Sequence, residues 1–460
     1  MAYCKGCFEK QLRIDQLLEE NKQLKAQLRY RERKEQEGFF GASTPSSKIP
    51  LKETTLEENR QKKGGAACGH EGHGRKSHQE GSADEVVFLE SPRVCPACGG
   101  ELAVVELRDR AVIESRPTKP ERLLYKLPHA RCRTCKKIFR TNPPGVLPKS
   151  LYGNQLTAQL AVMHYVHGIP IGRLAEIIGI HGGSIIEIYH RLFRLFKPVI
   201  PVLIEAYRRS SVRHADETSW RNDGQSGYAW LFCTSTVSIF LFKNTRSSSV
   251  PKEVFGTDAL PGVLVVDRYA GYNKVPVTIQ YCYAHLLRDV EKLEKDWPDD
   301  EEVARFTGTL IPLLTQAMRL RSQNIPDEEY CRQAQELREK IMVACRSPAH
   351  HLGIRATQDI LATNEGRLFH WVIDRNVPAD NNYAERNLRP TVIARKVSFG
   401  SSSDAGAETR SVLMSVLHTL NKRRGEVTLE SAFKAILDTI AAHPHIDVTS
   451  LFPPPIIPSH

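Results

Sequence analysis

At 460 residues the chain is too long for one ordinary hydrophobic core, so several modules are expected. Lysine and arginine (64) outnumber aspartate and glutamate (53), and the resulting formal net charge of +11 suits a polyanionic partner such as nucleic acid. No run approaches the roughly 18 apolar residues of a membrane-spanning helix, and the opening MAYCKGCFEK lacks the apolar segment of a secretory signal. Eleven cysteines, an odd number with no export signal, point to reduced thiols or metal ligands in a cytoplasmic protein rather than to disulfides.

Residues 1–37 are charged and helix-favouring, with Ile14, Leu17, Asn21, Leu24 and Leu28 alternately three and four apart. That spacing predicts the a/d seam of a short coiled coil, in which Asn21 would fix register and through which the chain would form a homo-oligomer. A single amphipathic helix docked on its own protein is the other reading. Residues 38–82 are rich in Gly, Ser, Lys, Arg and His, a flexible basic linker with too little apolar surface to offset its ordering entropy.

Within 83–145, CPACGGEL and CRTCKKIF carry two C-x-x-C pairs, Cys95/Cys98 and Cys132/Cys135, with 33 residues between the pairs. Four thiolates at this spacing predict a closed tetrahedral structural zinc site in a small β-rich ribbon. Cys4 and Cys7, and Cys68 with His70, are read as stray pairs. Residues 150–208 are helical: IGRLAEIIG, an IHGG turn and SIIEIYHRLFRLF give a helix-turn-helix outline, with Ser184 expected to cap the second helix. Ordinary helical bundles share that outline.

From 209 the period shifts to strands. SSVRHADETSW, GYAWLFCTST and VSIFLFKNTR read as three β segments, SSVPKEVFG as a short helix, and PGVLVVDRYAGYN as a nearly continuous apolar strand buried on both faces. VTIQYCYAHLLRDVEKLEK is a further strand feeding a helix. Two strands thus end in or near an acid, Asp216 and Asp267. If they are neighbours, two close carboxylates repel unless a cation lies between them, and a hard divalent ion is the expected remedy.

Glu385 in PADNNYAERNLRP would supply a third carboxylate from the start of a helix capped by Asp380 or Asn381, with Arg386 and Arg389 placed to clamp phosphate oxygens. Two such ions about 4 Å apart would activate an attacking oxygen and stabilise a leaving one.

These motifs together, CPACGGEL with CRTC, HADETSW, VVDRYAGYNK, YCYAHLLRD and DNNYAERNLRP, resemble the insertion-sequence-66 type of bacterial transposase over nearly the whole length. The resemblance implies a multidomain α/β protein: an N-terminal coiled-coil helix, a zinc-binding domain, a helical domain, a ribonuclease-H-like catalytic domain over 209–403 with a helical insertion at about 290–365, and a helical tail over 404–460. It implies a metal-dependent DNA transposase that cuts and rejoins element ends, with Asp216, Asp267 and Glu385 as its triad on two magnesium or manganese ions, Cys95, Cys98, Cys132 and Cys135 on zinc, DNA as partner, and accessory proteins of the same element. A silent DNA-binding regulator and a nuclease without strand transfer are the rival readings. The chain departs from the family at Arg268, where glycine is more common, at Tyr283, where tryptophan is, and at Leu287, where a second arginine is.

Overall fold

The computed structural model describes residues 5–37, 120–127, 129–131, 133, 138–140 and 143–453. The linker, the zinc-ligand candidates Cys95, Cys98, Cys132 and Cys135, and most of the ribbon lie outside them. Helix α1 (Lys5–Glu37) spans the expected seam. It meets the protein through a polar position, where Gln27 Oε1 accepts from the Leu352 amide at 3.5 Å, while Ile14, Leu17, Leu24 and Leu28 stay about half exposed. The short strands β1 (His129–Arg131) and β2 (Ile138–Arg140) pair antiparallel.

Four helices follow: α2 (Asn154–Tyr165), α3 (Ile171–Ile178), α4 (Gly182–Phe196) and α5 (Val199–Arg208). Gly179 ends α3 in the left-handed conformation, at φ 76°, which costs glycine no Cβ clash. The cap of α4 differs from expectation. His181, not Ser184, occupies the N-cap, its Nδ1 accepting the Gly183 amide at 3.2 Å, and Ser184 already lies inside the first turn. The buried face of α4, Ile185, Ile188, Tyr189, Leu192 and Phe196, has the three-and-four spacing of a core-facing stripe.

The centre is a five-stranded mixed sheet in the order β5-β4-β3-β6-β7. Strands β3 (Val212–Asn222), β4 (Gln225–Cys233) and β5 (Ser238–Lys243) form an antiparallel meander. Its first turn is Asp223-Gly224, both at positive φ, the backbone that a two-residue hairpin requires. The chain then passes through α6 (Ser249–Phe255) to β6 (Leu260–Val266), parallel to β3, and to β7 (Val277–Tyr281), parallel to β6. Only the last three residues of β6 are buried, so the strand is half solvated rather than covered on both faces throughout.

After β7 come α7 (Tyr283–Asp296), α8 (Glu301–Leu320), α9 (Asp327–Arg346), α10 (Leu352–Thr363) and the single turn α11 (His370–Ile373), before the chain returns as α12 (Asn382–Ser398). Helix α12 packs on β3 through Arg395, which bonds Thr218 and Ser219. Helix α13 (Asp404–Arg423) covers the open edge of β5, where Ser415 and Thr419 accept the Phe240 and Ser238 amides at 2.8 and 2.9 Å. An edge so occupied offers no free ladder to another chain. Helix α14 (Leu429–Ala442) closes against α2 through an Asn154–Asp438 hydrogen bond of 2.8 Å.

Two glycines separate backbone need from helix propensity. Gly262 (φ +79°) lies at a register shift of β6, where a Cβ would collide with the Ser211 carbonyl. Gly262→Ala is expected to cost about 3 kcal/mol or more, whereas Gly308→Ala, on an exposed turn of α8 with open space around it, should gain about 1 kcal/mol. Thermal and urea melts of the two variants check this; equal effects would remove the distinction.

Candidate active site

The parallel register of β3 and β6 pairs His214 with Val265, and two residues further along each strand stand Asp216 and Asp267. Both are buried, at 0% and 6% exposure. With Glu217 they form a group whose carboxylate oxygens lie within 4.8 Å of one another. Asp216 Oδ1 accepts the Glu217 amide at 2.9 Å, and Asp267 Oδ1 accepts the Tyr269 amide at 3.1 Å.

Sequence reasoning passed over Glu217. Its carboxylate is held within the acidic group, where Arg246 meets Oε1 through Nη2 (2.6 Å) and Nε (3.0 Å) and the Tyr272 hydroxyl donates to Oε2 at 2.6 Å. Arg246 in turn lies 4.1 Å over the Tyr269 ring, and the Tyr269 hydroxyl donates to the Arg246 carbonyl. Glu217 is therefore neutralised in place. Asp267 is not: burial, then the Glu217 charge, pushes its carboxyl up to about 8. The one sequence signal for Glu217 was its position beside Asp216.

Glu385 stands in the first turn of α12, where a carboxylate complements the helix dipole. The helix is anchored by Asn381, which occupies the N-cap but does not cap. Its Nδ2 donates to the Ala215 carbonyl (2.8 Å), its Oδ1 accepts from His214 Nδ1 (3.0 Å), and its amide donates to Cys282 Sγ (3.1 Å). Asp380 instead accepts the Asn382 amide at 3.0 Å. The expected capping side chain thus serves as a clasp joining α12 to β3, while the Asn381 backbone amide ties it to the start of α7.

Glu385 stands outside the group of three that Asp216, Glu217 and Asp267 form. Its Oε2 lies 3.8 Å from Arg288 Nη2, its Oε1 is buried with no hydrogen-bond partner, and burial raises its carboxyl. Arg386 and Arg389 are exposed on the same helix. Arg268 turns from the aspartates to α7, meeting Asp289 and the His285 carbonyl.

The donor set fits a hard divalent cation. All donors are carboxylate oxygens, enclosed and crowded within 4.8 Å of one another. Thiolate or imidazole ligation is not on offer among these groups: His214 is engaged by Asn381 and kept neutral by burial, which brings it down to about 4.

A mixed α/β protein with a buried acidic cluster able to hold a metal ion is the class that fold and site define. Residues 149–409, more than half of the chain, match the family model described as Transposase IS66 family. The chain belongs to that family. Among curated proteins it is similar to the uncharacterized proteins y4hP and y4jD of Sinorhizobium fredii (strain NBRC 101917 / NGR234). The first is 21% identical over 428 residues, covering 82% of this chain and 76% of the relative. The second is 22% identical over 392 residues, covering 73% and 72%.

The raised Asp267 carboxyl has a signed consequence for stability. An unfolded aspartate releases its proton near 3.8 and the folded one near 8, so this stabilisation is complete below the lower value and lost as pH rises through the higher one. In chelator-treated protein, Asp267→Asn should raise the thermal midpoint above pH 8, and the gain should vanish toward about pH 4. A gain that does not vary with pH would mean that Asp267 holds no extra proton.

Proposed function

We propose that the protein is a DNA transposase, which binds the ends of its mobile element and catalyses divalent-metal-dependent strand cleavage and strand transfer. The observation that carries this is the pair Asp216 and Asp267, buried side by side on neighbouring parallel strands with carboxylate oxygens within 4.8 Å. Membership of a transposase family supports the same reading.

In this proposal Asp216, Asp267 and Glu385 hold two magnesium or manganese ions, and the sheet with α12 is the core of a ribonuclease-H-like catalytic domain. Bound there, the ions would activate the attacking oxygen and stabilise the leaving oxygen of a phosphodiester. The chain's own groups orient: Arg246 and Tyr272 hold the Glu217 carboxylate in place, and Asn381 fixes the entry of α12. Arg386 and Arg389, exposed beside Glu385, are the phosphate clamps. Helices α8–α10 make up the helical insertion at about 290–365, and 150–208 is a DNA-binding domain.

Nearer the N-terminus, Cys95, Cys98, Cys132 and Cys135 bind structural zinc, and α1 joins copies of the protein through its half-exposed Ile14, Leu17, Leu24 and Leu28. No helix among the described residues is long and apolar enough to cross a membrane, in keeping with action on DNA.

With labelled element-end DNA, magnesium and a target plasmid, the full chain should yield cut and joined products. Asp216→Ala, Asp267→Ala and Glu385→Ala should each lower cleavage about a hundredfold or more while DNA binding persists. Cleavage that survives in any of the three would falsify the assignment, and a wild-type chain that shifts DNA without cutting it would leave a silent DNA-binding regulator. Arg386→Ala and Arg389→Ala should weaken binding alike across sequences and reduce the slope of log affinity against log salt by about one each. An unchanged slope would remove both from the phosphate contacts.

A further inference from the structure

Glu385 and Arg288 form an ion pair in which neither side chain is well solvated, at 11% and 17% exposure. Arg288 reaches Glu385 from the second turn of α7 and is steadied from behind, Nη1 standing 3.3 Å from His285 Nε2. An arginine can only donate, so His285 accepts on Nε2 and carries its proton on Nδ1. That nitrogen is buried without a hydrogen-bond partner. Burial, then Arg288 and Arg268, holds the imidazole neutral and suited to accept. The neighbouring arginine, Arg268, is directed to Asp289. Glu385 is the acid that Arg288 meets.

The 3.8 Å separation is longer than a hydrogen bond, and only one carboxylate oxygen is involved. Glu385 Oε1 has nothing to accept from. Such a contact neutralises charge without satisfying the carboxylate, which leaves it open to a better cation. It also accounts for the distribution of acids at the site. Asp216 and Asp267 have gathered, and Glu385 stands apart beside the arginine.

We propose that Arg288 is the resident counter-cation of Glu385, seated by His285, and that a divalent ion taking up Glu385 must displace it. Arg288 is a positioning residue in this account, acting on the site through Glu385. The inference rests on the metal-binding role given above to Glu385. Arginine and ion compete for one carboxylate, so removing the arginine's charge strengthens ion binding.

The test is manganese binding to the full chain without DNA, followed by electron paramagnetic resonance and calorimetry. Arg288→Met should bind the ion about three- to tenfold more tightly than wild type, a shift of up to one logarithmic unit. Arg288→Gln, which retains a donor for His285, should gain similarly, and it carries the test if the methionine variant folds poorly. Arg288→Lys, with its charge kept, should stay near wild type. Combined with Glu385→Gln, the Arg288→Met gain should disappear, because the two residues act as a coupled pair.

Unchanged or weaker binding in both neutral variants, with near-ultraviolet circular dichroism intact, overturns the proposal while leaving the metal site in place. So does a gain that persists in the Glu385→Gln background. A wild-type chain that binds no manganese overturns the metal-dependent reading and this inference with it.

Discussion

Everything at the centre of this protein follows from crowding three carboxylates where the middle of β3 runs past the end of the parallel strand β6. Asp216, Glu217 and Asp267 are nearly inaccessible, and each charge enclosed there loses its hydration. One of the three is settled within the protein, because Arg246 and Tyr272 saturate Glu217. Asp267 remains close to that charge: burial, then Glu217, pushes its carboxyl up to about 8, so a proton on Asp267 relieves the repulsion, and a metal ion held by the same group would relieve it too.

That repulsion would push the strand ends apart if the scaffold were loose. Three restraints oppose it. The Asp223-Gly224 hairpin fixes β3 against β4, the β3–β6 ladder fixes the two aspartates in register, and Asn381 ties the start of α12 to the Ala215 carbonyl, one residue from Asp216. The clasp is buried and uses both ends of the Asn381 side-chain amide, so breaking it would take a buried hydrogen bond from both the Ala215 carbonyl and the His214 imidazole. On the far side, α13 completes β5 with serine and threonine hydroxyls and keeps the sheet from extending further.

Much of this order was legible in the sequence. Alternating or continuous apolar runs marked the strands, and Asp216 and Asp267 stood out as acids at the ends of such runs. The helices between β7 and α12 followed from their periodicity. What stayed hidden arises from contacts between residues far apart in the chain. Glu217 reads as a surface acid until Arg246 and Tyr272, 29 and 55 positions away, are seen to enclose it. The Ser184 cap failed because His181, three residues earlier, also offers an acceptor to the first turn. Asn381 had the residue type and position of a cap, but the β3 backbone competed for its side chain. The half-solvated start of β6 was invisible because apolar residues can lie at a sheet's exposed end as well as at its centre.

The residue after Asp267 joins these observations. Where glycine is more usual in the resembling family, this chain carries Arg268, buried and paired with Asp289 on α7. Asp289 is the immediate neighbour of Arg288. Two adjacent residues of one turn of α7 thus meet different partners: Asp289 is held by Arg268 from the end of β6, and Arg288 faces Glu385 on α12. The departure at 268 is satisfied by the same helical turn that carries Arg288 to Glu385, so α7 takes one charge from the end of β6 and gives one to the start of α12.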